Sequence, residues 1–252
     1  MSAIIVRAAL LLAVLVPAGA SLPPGAVAQL PETFTNLQVL PEDMPRGDLV
    51  GVMRNFTRAT GLRCSGCHMG EEGQPLSDYD FASDDRPTKQ KARAMLRMVQ
   101  SINSEHLATL PNRSQPSVNV TCSTCHGGVS RPVPIEDIMT VSVELDGVDA
   151  AIDEYRMLRE AYHGSRAFDF RERPLLDVAQ TVAGGGDAES ALAIMDLSIS
   201  YFPESTQGYS VKGEIHLGAG QTADAIAAFE KALELDPENR LAQQRLAELR
   251  GG

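Results

Sequence analysis

Two short stretches sharing one pattern constrain this chain more than any other feature. "RCSGCH" (residues 63–68) and "TCSTCH" (residues 121–126) each place two cysteines three apart, with a histidine directly after the second. All four cysteines of the chain lie in these two units, and two of its five histidines complete them. On a helical turn, positions i and i+3 present both sulfurs on one side, and i+4 lies on the same face. Cys64 and Cys67 can then add to the two vinyl groups of one porphyrin, and Cys122 and Cys125 to those of another. His68 and His126 can rise to the two irons. Tetrahedral zinc held by the four cysteines is an alternative, but it leaves both histidines unexplained. A thioredoxin-like disulfide needs a βαβ setting, and the flanking sequence reads as helical. The pattern therefore predicts two covalently bound haem c groups.

The N-terminus fits that chemistry. In "MSAIIVRAALLLAVLVPAGASLPPGAVAQ" one arginine, Arg7, precedes an apolar run from Ala8 to Val16, and small residues follow. This is the layout of a secretory signal over residues 1–28, with cleavage after Ala20 or Ala28. The run is short of the roughly 20 apolar residues that a membrane span needs. Attachment of haem c takes place outside the cytoplasm, so a periplasmic protein is expected. Membrane association is expected only through a partner or an uncleaved signal. The formal net charge of −11 supplies no basic patch, which argues against nucleic acid as a partner.

An iron bound by one histidine needs a sixth ligand from the opposite side, usually Met or His. In "RGDLVGVMRNFTRATG" Leu49, Val52, Met53 and Phe56 share one helical stripe, and Gly61 is a C-terminal stop. Met53 precedes Cys64 on this helix and is the expected ligand of haem 1, with Met44 less well placed between prolines. A polar loop follows. Pro87 then suits a first helical position, with Ser83, Asp84 or Asp85 as the cap. The next helix carries Met95, Met98 and His106. Spacing alone leaves all three as candidates for haem 2. His163 and His216 read as ordinary surface residues.

A boundary is expected near residue 140, giving a dihaem cytochrome domain over 29–140 and a helical-repeat domain over 141–252. Pro203 and Pro237 lie one 34-residue period apart. In that phase Gly213, Ala225, Phe229 and Ala232 occupy the small and aromatic positions of a tetratricopeptide unit. Ala191, Met195 and Ser198 occupy the equivalent positions one unit earlier. "VDAAIDEYRMLREAYHG" reads as a further helix, and "ENRLAQQRLAELRGG" as a closing one. The expected fold class is mainly α, with little regular β structure.

"FTNLQVLPEDMPRGDLVGVMRNFTRATGLRCSGCH", "KARAMLRMVQSIN" and "VTCSTCHGG" together resemble the photosynthetic reaction-centre cytochrome c subunit family. The resemblance covers about residues 33–135, one dihaem half of a family whose purple-bacterial members carry four haems. It implies an electron carrier, not an enzyme, that serves redox partner proteins such as a membrane-bound reaction centre. A respiratory complex is the alternative partner, and a dihaem peroxidase-like enzyme a more distant reading. The family's "R-x-M-L-x-M" stretch implies Met95 as the haem 2 ligand, ahead of Met98. The family's late-helix histidine position falls near Thr109 here, with His106 a turn earlier. The helical repeats would offer a docking surface for a protein.

Overall fold

A computed structural model describes residues 30–251 apart from residue 32, so the expected signal at residues 1–28 lies outside the described residues. The chain is mainly helical, and no strand forms among the described residues. A single-residue antiparallel bridge joins Met69 and Asp80. No helix among the described residues is long and apolar enough to cross a membrane.

The first half holds three helices separated by long irregular segments. Helix α1 spans Arg46–Thr60. Its expected stripe faces inward: Leu49 is buried, and Val52, Met53 and Phe56 are half-buried. Gly61 ends it in the left-handed conformation (φ 70°), donating to the Thr57 carbonyl. Helix α2 spans Pro87–Ser101, with Pro87 in the first turn as expected. None of the three expected caps is used. Arg86 holds the cap position without a side-chain bond, and Asp84 turns to Lys89 and Arg93 instead. Beyond Ser101 the helix widens into a π turn, Ile102–His106, and then tightens over Leu107–Thr109. Helix α3 spans Cys122–His126, opened by a reciprocal Thr121–Thr124 capping box and closed by left-handed Gly127 (φ 59°).

Seven helices follow: α4 Ile135–Asp146, α5 Val148–Tyr162, α6 Glu172–Gly184, α7 Ala188–Tyr201, α8 Thr206–Gly218, α9 Thr222–Leu235 and α10 Arg240–Gly251. They pack as hairpins, α4 on α5, α6 on α7 and α8 on α9, with α4 also on α6, α7 on α8 and α10 on α9. The boundary expected near residue 140 falls inside α4. Ile135 and Met139 lie one turn apart on that helix and are both buried in the core formed with α5, α6 and α7. The core shared with α5, α6 and α7 therefore begins at Ile135, directly after Pro132 and Pro134.

The repeat phase read from the prolines corresponds to real packing. A Cβ at Gly213 on α8 would sit 2.6 Å from the Phe229 ring, so the glycine lets α9 approach closely. Ala225, Phe229 and Ala232 are fully buried and share a cluster with Ala242 and Leu246 of α10. One unit earlier, Ala191, Met195 and Ser198 are fully buried on α7. Arg159 of α5 lies over the Tyr201 ring at 4.3 Å and donates to the Phe170 carbonyl at 2.9 Å. It thereby ties the α5–α6 connection to the end of α7.

Ser198 has a buried hydroxyl with no hydrogen-bond partner. An unsatisfied buried hydroxyl costs roughly 1–3 kcal/mol. Ser198→Ala removes it and improves helix propensity. Its unfolding transition, followed by circular dichroism of the full chain, should rise by about 1 kcal/mol, or roughly 3–4 °C for a domain of this size. A fall in the midpoint would show that the hydroxyl is bonded.

Candidate functional site

The two Cys–Cys–His units fold as single helical turns of different kinds. The first is a 3₁₀ turn, Cys64–Gly66, with the His68 N–H donating to the Cys64 carbonyl at 2.9 Å. The second is the α-helical turn α3. The four cysteines are unpaired. Among the described residues no three His, Cys, Asp or Glu side chains converge on one point, so the tetrahedral zinc arrangement is not built.

The two turns are held in one domain by α1 and α2. The C-terminal end of α1 leads through Gly61 into the first motif and also packs on α3. The Gly128 N–H donates to the Ala59 carbonyl at 2.9 Å, and a Cβ at Gly61 would lie 2.4 Å from the Gly128 carbonyl oxygen. Helix α2 clamps a motif at each end. At its start, the Thr88 hydroxyl donates to the Gly66 carbonyl inside the first motif. At its finish, the Asn103 amide donates to the Val120 carbonyl at 2.8 Å, and its oxygen accepts from the Val120 N–H at 2.8 Å. Val120 stands two residues before Cys122. At 1.5 Å per residue, the Thr88-to-Asn103 strut is roughly 20 Å long.

The two histidines differ in setting. His126 Nδ1 lies 2.9 Å from the Val129 carbonyl. A carbonyl can only accept, so Nδ1 carries the proton and Nε2 is left with a free lone pair, as a metal-ligating imidazole requires. His68 sits edge-on to Phe81 at 5.0 Å between centroids, and its buried Nδ1 has no hydrogen-bond partner. Burial lowers its pKa, the positive Lys89 and Arg93 lower it further, and the Phe81 carbonyl opposes them from outside bonding distance of Nδ1. The ring is therefore neutral near pH 7, with a lone pair available. Burial raises the Cys67 thiol, while Thr88 partly offsets this.

Helix α2 is inverted relative to an ordinary surface helix. Its charged residues Lys89 and Arg93 are buried, at 9% and 7% exposure. Its methionines Met95 and Met98 each stand 46% exposed. With about 100° per residue, Met95, Met98, Val99 and Ile102 form one sector opposite Lys89. The buried side is paid for by bonding. Lys89 Nζ donates to the Phe81, Ala82 and Ser83 carbonyls at 2.7–3.0 Å and pairs with Asp84 at 3.2 Å. Arg93 pairs with Asp84 at 2.8 Å and donates to the Asn36 carbonyl at 3.2 Å. Met53 is half-buried on α1, and His106 is exposed on the π turn of α2. His163 and His216 lie in the repeat region; His163 is exposed, and His216 is bonded to Gln221.

These residues fit haem c. The motifs present sulfur and imidazole on one turn, one histidine is fixed in the ligating tautomer, and an apolar methionine face stands uncovered beside them. Thr88, Asn103 and the Asp84–Lys89–Arg93 cluster did not emerge from the sequence. Two cations one helical turn apart, with an aspartate just before the helix, would have been the signal for the cluster.

A helical domain organised around two such turns, joined to helical hairpins, is that of a c-type cytochrome with tetratricopeptide repeats. Residues 9–154 match the family described as "Photosynthetic reaction centre cytochrome C subunit", which is more than half of the chain, and the chain belongs to that family. Membership implies covalently bound haem c and electron transfer. The match runs past Pro134 into α4 and α5. Residues 207–239 match "Tetratricopeptide repeat". Cytochrome c-554 of Chloroflexus aurantiacus is 31% identical over 131 residues, covering 49% of this chain and 29% of that protein. The Hsp70-Hsp90 organizing protein of Triticum aestivum is 43% identical over 58 residues, covering 23% of this chain and 10% of that one. The chain thus spans less than a third of the length of either relative. Similar solved structures include the first TPR domain of the human RPAP3 protein (19% identical, TM-score 0.34, 46% of this chain and 87% of that one) and MamA (19%, TM-score 0.32, 46% and 64%).

Two predictions follow from the clamps. Asn103→Ala removes both bonds to Val120 and should lower holoprotein stability in chemical denaturation by about 1–2 kcal/mol. Asn103→Asp keeps the acceptor and should fall between; equal loss in both variants would mean the pairing is not the cause. Arg93 first and Lys89 second hold the Asp84 carboxyl well below its usual range. A depressed carboxylate contributes stability above its unfolded pKa, near 4, that is lost as the pH falls through the folded value. Wild type should therefore lose stability progressively below about pH 5. Asp84→Asn should be weaker at pH 7 and show a shallower acid slope over the same window.

Proposed function

We propose that this chain is an exported dihaem c-type cytochrome that carries electrons between proteins, with its repeats serving for docking. When bound, each haem supplies a reversible one-electron iron couple. Cys64 and Cys67 would anchor haem 1, with His68 and Met53 as the ligands of its iron. Cys122 and Cys125 would anchor haem 2, with His126 and Met95 as the ligands of its iron. Met98 and His106 are the alternatives to Met95. The observation that carries the reading is the inversion of α2: its exposed methionine face lies on the strut that joins the two motifs, where a porphyrin would cover it.

The protein's own contribution is to hold and tune. His126 is oriented by the Val129 carbonyl, which fixes its tautomer and ring plane. His68 is held among buried groups beside two cations, and nearby positive charge favours the reduced state of an iron centre. Methionine ligation raises the potential further. The N-terminal layout and extracytoplasmic attachment support a periplasmic location. Family membership supports a reaction centre as partner, and a respiratory complex remains the second reading because the chain spans only 29% of its cytochrome relative.

Haem staining with pyridine haemochrome quantitation should give two covalent haems per chain. One haem, or none with bound zinc, sinks the dihaem assignment. Met53→Ala should abolish the sulfur-to-iron charge-transfer absorption of one haem. Its potential should fall by a substantial part of the roughly 0.8 V range that axial ligands span. An unchanged spectrum and potential would free that position and favour a peroxidase-like enzyme, which turnover of hydrogen peroxide would then reveal. Flash oxidation of the cytochrome by purified reaction centres would separate the photosynthetic from the respiratory partner.

A further inference from the structure

We infer that the repeat domain forms one wall of the haem 2 site through the α5–α6 connection, residues 163–171, and so tunes haem 2 without tuning haem 1. The inference rests on the dihaem reading above. Three observations carry it.

Gly127, directly after His126, is in the left-handed conformation, and a Cβ there would lie 2.5 Å from the Arg166 carbonyl oxygen. The second motif and the repeat domain therefore meet backbone to backbone, and only glycine satisfies both the turn and the approach. Beside this contact lies a cleft of about 520 Å³. Its lining includes Cys125, Pro132 and Val133 from the first domain, and Arg166, Phe168 and Arg171 from the connection. Cys125 is the second anchoring cysteine, so the thioether edge of haem 2 begins at this cleft.

Four charged residues line that edge: Glu136 of α4, and Arg166, Asp169 and Arg171 of the connection. Arg171 pairs with Asp169 at 2.6 Å. Arg166 is exposed, Glu136 is half-buried, and neither forms a salt bridge among the described residues. Arg166 is therefore the unpaired cation that the connection brings to the Cys125 side, facing the unpaired Glu136 carboxylate of α4. Phe168 is braced edge-on by Tyr162 at 5.4 Å and Phe170 at 5.9 Å, giving a fixed apolar wall that limits water at the haem edge. A cation and a dry wall near the iron both disfavour the ferric state. The first motif is met instead by α2 and residues 70–81, with Lys89, Arg93 and Phe81 beside His68, so its surroundings come from its own domain.

Spectroelectrochemical titration of the full-length holoprotein tests this. Arg166→Glu changes an exposed side chain and leaves the backbone contact to Gly127 in place. One of the two haem potentials should fall and the other stay, with a smaller shift at high salt. Phe168→Leu should lower the same potential by admitting water. In the Cys122→Ser/Cys125→Ser variant, which lacks haem 2, Arg166→Glu should move nothing. Equal shifts at both haems, no shift at either, or a shift in the single-haem variant would overturn the inference while leaving the dihaem reading intact. Fewer than two covalent haems in wild type would sink both.

Discussion

The scarcity of buried apolar side chains in the first half governs the architecture. Between residues 33 and 134 only Leu49, Ala59 and Val129 are buried apolar residues, while all the others lie between Ile135 and Leu246. A domain with so little hydrophobic burial cannot offset chain entropy by packing alone. Its order instead comes from polar clamps on the backbone: Lys89 and Arg93 around Asp84, Thr88 on Gly66, and Asn103 on Val120. Each clamp runs from α2, which makes that helix the beam of the domain. A covalently attached prosthetic group would supply the missing apolar interior. This fits a chain whose large apolar residues Met69, Met95, Met98 and Val118 remain exposed there.

The repeat half follows the opposite rule. Small residues at Gly213, Ala225 and Ala232 let helices approach, and Phe229 fills the space they leave. Each hairpin buries its face on the next, and side-chain ties such as Arg245 to Glu214 at 2.6 Å join helices two apart. The stack begins earlier than its repeat period indicates. Helix α4 has no repeat phase of its own, but Ile135 and Met139 close the open end of the core. A terminal element of this kind is shaped by the need to cap and departs from the period.

The two halves meet at the second motif. Gly127 and Gly61 are both left-handed glycines at the ends of short helical runs, and each lets a carbonyl approach to within what a side chain would forbid. Gly61 admits Gly128, which joins the two motifs. Gly127 admits Arg166, which joins the motif to the repeats. The cytochrome half and the repeat half are therefore in direct backbone contact.

The motifs and the periodicities are legible in the linear chain. Cysteine and histidine spacing is local, and so are the α1 stripe, the Gly61 stop and the 34-residue phase; each is a property of residues a few positions or one repeat apart. Which side of α2 faces inward is set by folding. Met95, Val99 and Ile102 share a face of its helical pattern with Met98 beside them, yet Lys89 and Arg93 are the residues buried, because Asp84 and four carbonyls from two separate segments gather around them. Likewise, Asn103 is an unremarkable polar residue until the fold brings Val120 beside it. Long-range bonding that reverses a local pattern leaves no mark at the helical period, so its consequences appear only once the chain is folded.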